Sequence, residues 1–312
     1  MGKLAFVFAG QGSQYVNMGL DFLDHQEKLF QFERQANTIL GYNTRERIAS
    51  DDGSIHETQY TQPLVLLSTI YAYETLQSLG IYPDGVCGFS LGEYAALYAS
   101  KVFSFDEIIK LVSSRASIMH DETKKHPGAM AAILGLSSDV VDNICQEIGD
   151  GVYAANYNSP QQTVISGTEE AILRAIEVAK HRGAKRAMKL QVSGAFHSPL
   201  MMEASTRFKG VLHDVQPRQP MVPIYLNTTA RKANLESIKK EMIKQISSPV
   251  RFVEAINEMK KDGFTHFIEV GPGAVLSGLI RKIDGDLHVI NCDHYTDIET
   301  VKGWLKEHGF IK

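Results

Sequence analysis

The sequence predicts an α/β protein with a mainly parallel sheet and a smaller unit inserted into it. Three observations carry that expectation. The apolar runs Lys3–Ala9 (KLAFVFA) and His266–Val270 (HFIEV) have the continuous hydrophobicity of strands buried on both faces. Strand and helix patterns alternate through the first 125 residues, the signature of helices packed on a parallel sheet. Residues 128–194 then change rhythm.

In order, Lys3–Ala9 enters a glycine loop, Gly10-Gln11-Gly12-Ser13-Gln14. Helical patterns follow over residues 21–40 and over Thr61–Leu79, where Pro63 falls near the expected start. Asp84–Cys87 ends a short strand. The next turn, Gly88-Phe89-Ser90-Leu91-Gly92, places one serine between two glycines. A chain leaving a strand and turning sharply into a helix needs glycines where side chains would collide. The serine at the tip is then exposed beside the N–H groups that open the helix. That turn makes the core α/β-hydrolase-like. Ser104-Phe105-Asp106-Glu107 starts another helix with acidic residues in its first turn.

The middle segment reads strand Ala129–Leu136, helix Ser138–Ile148, strands Val152–Asn156 and Gln162–Ser166, helix Glu169–Arg182 stopped by Gly183, and strand Ala187–Ser193. This β-α-β-β-α-β order is that of a ferredoxin-like unit. The expected division is a large subdomain over 1–125 and 196–312, and a small ferredoxin-like subdomain over 126–195.

Composition narrows the classes of function. A net charge of −4 gives no reason to expect non-specific nucleic-acid binding. No apolar run approaches a membrane span, and the first residues are too short a run for a signal peptide. The three cysteines, Cys87, Cys145 and Cys292, lack metal-ligand spacing and read as buried thiols in a reducing cytoplasm. No metal site is expected. A dinucleotide fingerprint fails, because Gly10-x-Gly12 is followed by Tyr15 where the third glycine belongs.

A serine alcohol needs a base before it is a useful nucleophile. Most histidines sit in polar segments: His25, His56, His120, His126, His181, His213 and His308. His197 differs. It lies where the inserted unit hands back to the larger one, and sites gather in clefts between domains. Its other reading is an ordinary loop histidine. Arg115 lies on the apolar stripe of its helix, with Ile108, Leu111, Val112, Ile118 and Met119. A guanidinium there needs an anion: a buried Asp or Glu, solvent reached by snorkelling, or a substrate carboxylate. One oxyanion donor is the Leu91 N–H, after the serine, and the Gln11 loop is the natural source of a second. No triad acid is visible. Asp293 and His294 carry nothing that assigns them.

GQGSQ, GFSLGEY, Arg115, NYNSP at 156–160, GAFHS at 194–198, SPVRF at 248–252 and EVGPG at 269–273 occur in that order. Together they resemble the malonyl-CoA:acyl carrier protein transacylases of bacterial fatty-acid synthesis, over nearly the whole chain. The resemblance implies Ser90 as nucleophile, His197 as base, Arg115 as the partner of the malonyl carboxylate, and Gln11 and Leu91 as oxyanion donors. Asn156 would line the site. Gln245 would supply a backbone carbonyl that orients the histidine in place of a carboxylate. Phe196 would crowd an α-methyl group and favour malonyl over methylmalonyl. The implied reaction is transfer from malonyl-CoA, as substrate, to acyl carrier protein, with no permanently bound cofactor and a monomer expected. Phe89 stands where the family usually has histidine, and Ala9 where it usually has proline. A hydrolase, a polyketide-serving acyltransferase and a non-catalytic scaffold share parts of this pattern. A basic group, Lys180, Arg182, Lys185, Arg186 and Lys189, is either a carrier-protein surface or a solvated face.

Overall fold

The computed structural model describes residues 2–192 and 194–312. Its strands in chain order are β1 (Lys3–Phe8), β2 (Gly85–Gly88), β3 (Ala129–Leu134), β4 (Val152–Ser159), β5 (Gln162–Gly167), β6 (Arg186–Lys189), β7 (Ile224–Tyr225), β8 (Phe264–Val270) and β9 (His288–Cys292). They form two sheets. The first is parallel, in the order β7-β2-β1-β8-β9. The second is antiparallel, in the order β4-β5-β3-β6, with helices Ser138–Ile148 and Glu169–His181 as its two crossovers. That is the ferredoxin-like arrangement read from the chain, alongside a parallel α/β sheet.

β1 shows why a continuous apolar run means burial on both faces. Its side chains alternate between two hydrophobic clusters. Leu4, Phe6 and Phe8 enter the larger one, with Leu67, Tyr71 and Leu97. Ala5 and Val7 enter the other, with Phe252, Ile256 and Phe267. A polar side chain anywhere between Leu4 and Phe8 would be buried without a partner.

The glycines of the serine turn are required by close approach. A Cβ on Gly88 would lie 2.0 Å from the carbonyl carbon of Gly92, and one on Gly92 would lie 2.0 Å from the Phe8 carbonyl oxygen. The ends of β1 and β2 and the first turn of helix Gly92–Ala99 therefore touch backbone to backbone. All eight residues of that helix are buried, so the turn is fixed from below.

Several boundaries differ from the sequence expectation. The 21–40 pattern is divided: helix Leu20–His25, a short 3-10 turn, then helix Phe30–Leu40. The expected Thr61 start moves to Thr58, which leaves Pro63 inside the helix. The Thr61 hydroxyl, bonded to the carbonyls of Ile55 and Glu57, secures the extra turn. β3 stops at Leu134, before the positive-φ Gly135. β6 spans only Arg186–Lys189, because pairing with β3 ends at Lys189–Ala131. Of the expected strand Ala187–Ser193, Ser193 lies outside the described residues. None of the described helices is long and apolar enough to cross a membrane.

Candidate active site

The site forms where the C-terminal ends of β1 and β2 face the antiparallel sheet. Ser90 sits at the tip of the turn with φ of 52°, and its N–H donates to Asn227 Oδ1 at 2.7 Å. A non-glycine residue in the left-handed region costs about 1–3 kcal/mol and persists only where its surroundings enforce it. His197 is held the same way, with φ of 58°. The two strained residues meet: Ser90 Oγ lies 2.7 Å from His197 Nε2.

The tautomer of His197 follows from its other nitrogen. Nδ1 lies 2.9 Å from the Gln245 carbonyl oxygen and 3.2 Å from that of Ser248. Carbonyls only accept, so Nδ1 carries the proton and Nε2 presents its lone pair to the serine. Helix Leu235–Gln245 ends at that point, and the last carbonyls of a helix have no partner within it. A helix terminus thus performs the orienting task that a carboxylate performs in a triad. Burial, followed by the nearby Arg115 charge, lowers His197 to about 4, against the raising effect of the two carbonyls. The imidazole is therefore neutral at physiological pH. Asp293, by contrast, accepts from the Tyr15 hydroxyl and takes no part.

Arg115 is 1% exposed. Nη1 donates to Gln62 Oε1 at 2.6 Å and Nη2 to Gln245 Oε1 at 3.0 Å; Nη2 is also 3.5 Å from Ser90 Oγ. The guanidinium stands over the Tyr94 ring at 5.3 Å. Nε has no partner. The buried Asp or Glu that sequence left open as a partner is not there: among the described residues, Arg115 is hydrogen-bonded only to neutral groups. Glu93 acts on it through space. Burial lifts the Glu93 carboxyl to about 7, against the lowering effect of the Asn227 N–H, Arg115 and Gln245.

Gln245 ties these groups together. Its amide nitrogen donates to the Ser90 carbonyl at 2.9 Å and to Glu93 at 3.0 Å, its side-chain oxygen accepts from Arg115, and its backbone carbonyl accepts from His197. Sequence singled it out for the carbonyl alone. Asn227 and Gln62 were missed. Asn227 also donates from Nδ2 to the Gly88 carbonyl and from its N–H to Glu93. Gln62 is fully buried and reaches toward Gln11 Oε1 at 3.5 Å.

A cavity of about 270 Å³ opens over Ser90, His197 and Arg115. Gln11, Asn156 and Phe196 line it, together with Met130 and Val164 from the antiparallel sheet. Gln11 donates from its side chain to Thr58. Its N–H, like that of Leu91, has no acceptor among the described residues. Gly10 packs against the turn so closely that a Cβ there would be 2.5 Å from the Phe89 carbonyl oxygen. Two further motifs have structural work. In SPVRF, Val250, in the segment before helix Phe252–Lys261, exchanges backbone bonds with Ala155 and Tyr157 of β4. In EVGPG, the buried Glu269 accepts the N–H groups of Leu276 and Ser277, capping the helix whose Leu276 and Leu279 line the cavity. The Phe89 ring packs edge-on against Phe252. In the basic group, Lys180, Arg182 and Lys189 pair with Glu177, Glu147 and Glu169. Lys185 and Arg186 complete it.

A serine on a glycine-flanked strand-to-helix turn, a histidine oriented by helix-end carbonyls and a buried cation beside them define an acyl-transfer site. Comparison with known proteins agrees. The model of the acyl transferase domain family matches residues 5–290. The malonyl CoA-acyl carrier protein transacylase of Bacillus subtilis (strain 168) is 39% identical, covering 99% of each chain. The crystal structure of the Streptococcus pneumoniae enzyme superposes with a TM-score of 0.93 at 38% identity, covering 97% of this chain and 100% of that one. A malonyl-transacylase solved in complex with its type II polyketide acyl-carrier protein matches with a TM-score of 0.92 at 32% identity, covering 96% and 98%. The chain belongs to the malonyl CoA-acyl carrier protein transacylase family of acyl transferases.

Replacing Asn227 with Ala strips the Ser90 N–H and the Gly88 carbonyl of their buried partner. The expected cost is about 2–5 kcal/mol of stability, read as a lower urea midpoint. An unchanged midpoint contradicts the assignment of Asn227 as the brace of the turn.

Proposed function

We propose that this chain transfers the malonyl group of malonyl-CoA to the phosphopantetheine thiol of acyl carrier protein, supplying fatty-acid chain elongation. The observation that supports this most is Arg115, a permanent cation beside the nucleophile with neutral partners and free N–H capacity. A dicarboxylic acyl group brings the missing charge. In bidentate contact with the guanidinium, its free carboxylate fixes the thioester carbon near Ser90. The cleft would then lie between a large subdomain, 1–125 with 196–312, and a small one, 126–195.

In the first half-reaction His197 Nε2 takes the Ser90 proton as Oγ bonds to the thioester carbonyl carbon. The oxyanion is received by the N–H groups of Gln11 and Leu91, where losing one donor typically costs about 10²–10³ in rate. The carbon–sulfur bond breaks, and CoA leaves with the proton from His197. In the second half-reaction the carrier-protein thiol gives its proton to His197 and its sulfur attacks the malonyl-serine ester. Ser90 leaves and recovers the proton. Asn156 and Phe196 bound the acyl space, and Phe196 stands against an α-methyl group. The chemistry asks for no metal or resident cofactor. All the groups come from one chain, so the working unit is a monomer. Its substrates place it in the cytoplasm.

Intact mass after brief exposure to malonyl-CoA tests the reaction. The expected result is a malonyl adduct mapped to Ser90, stable in buffer and discharged when holo carrier protein is added. An adduct lost to water as fast as to carrier protein would make the chain a hydrolase.

The low value of His197 gives a second expectation. Burial and the Arg115 charge favour the neutral imidazole, so kcat/KM stays level through neutral pH and falls as pH drops through about 4. A malonyl carboxylate on Arg115 cancels part of that charge, so the acid limb of kcat lies at higher pH than that of kcat/KM. An acid limb of kcat/KM near the ordinary 6.5 contradicts the account.

A further inference from the structure

At the edge of the parallel sheet, away from the acyl cavity, three histidines converge. His266 on β8 and His288 on β9 are register partners. His308 directly follows helix Asp297–Glu307, which packs on β9. One donor nitrogen from each lies within 4.8 Å of those of the other two. None of the three pairs with a carboxylate among the described residues.

Two features distinguish this group from ordinary packing. His266 is 9% exposed, and its Nε2 is closed off from solvent with no hydrogen-bond partner among the described residues. A buried ring nitrogen left unmatched is destabilising, and stacking against His288 supplies it no hydrogen-bond partner. The far nitrogens of His308 and His266 are engaged. His308 Nδ1 lies 2.8 Å from the Trp304 carbonyl oxygen, so it carries the proton and leaves Nε2 as a lone pair. His266 Nδ1 lies 2.8 Å from Thr265 Oγ1, which can accept its proton in the same way. An imidazole whose far nitrogen is tied to a protein oxygen is how metal-binding histidines are held in place.

We infer that His266, His288 and His308 form a binding site for a borderline divalent cation of the zinc class, with a water in the remaining position. Three imidazoles and an open position suit Zn²⁺, and Co²⁺ in its place. Metal–nitrogen bonds of about 2.0–2.1 Å need the donors to close to about 3.3 Å of each other. His288 is exposed at the first position of the edge strand, so its ring is free to turn from its stack on His266 and aim its nitrogen. A bound cation would join β8, β9 and the end of the last helix, clamping the C-terminal segment to the sheet.

The probe is Co²⁺ added to the full chain after chelation. The expected result is one Co²⁺ per chain with visible d–d absorption, displaced by Zn²⁺, and a melting temperature raised by Zn²⁺. His288→Ala and His308→Gln, both away from the buried position, each weaken binding by about tenfold or more. Absence of binding at millimolar Co²⁺ overturns the site. So does undiminished binding in either variant, which would assign the metal elsewhere, as at Glu122, His126 and Glu203.

Discussion

A guanidinium is buried beside the serine, and among the described residues no carboxylate is bonded to it. Removing such a charge from water costs several kcal/mol, and a protein ordinarily compensates with a paired anion. Here the compensation is made of neutral dipoles: the side-chain oxygens of Gln62 and Gln245 and the face of Tyr94. The rest of the site is arranged around that choice. Glu93, the nearest carboxylate, is kept off the guanidinium by Gln245 and the Asn227 backbone, which occupy its two oxygens. The cation therefore keeps binding capacity for an anion from outside.

The same constraint reaches the chemistry. Gln245 cannot shift to follow Arg115 without moving the Ser90 carbonyl and the carbonyl that orients His197. Arg115 and the Ser90–His197 pair are thus mechanically coupled through one side chain. Two helix ends provide the remaining groups. The start of Gly92–Ala99 offers the Leu91 N–H, and the end of Leu235–Gln245 offers carbonyls to the imidazole. Left-handed backbone at Ser90 and His197 is strain that these surroundings enforce.

Much of this was legible from the chain because it was written locally. The glycine–serine turn is a short-range steric pattern, and the atoms that would clash at Gly88 and Gly92 explain it. Arg115 announced itself by sitting on an apolar stripe. The β-α-β-β-α-β order needed only alternation and turn residues. Asn227 and Gln62 could not be found this way. Each is a single polar residue whose partners lie far along the chain, at Ser90 and Arg115, and no periodicity marks it. β7 is only two residues long, too short for any pattern. The division of the 21–40 helix also escaped, because both halves keep helical spacing across the 3-10 turn.

The central claim is that Arg115 reads the acyl carboxylate, and one ratio tests it. The rates of Ser90 acylation by malonyl-CoA and by acetyl-CoA are compared in the natural chain and in Arg115→Met, with matched urea midpoints as the check on folding. The account predicts that the malonyl preference collapses by at least about thirtyfold, since a desolvated charge pair is worth about 2–5 kcal/mol. If both rates fell in parallel and the preference survived, Arg115 would be a structural cation and the site's selectivity would have another source.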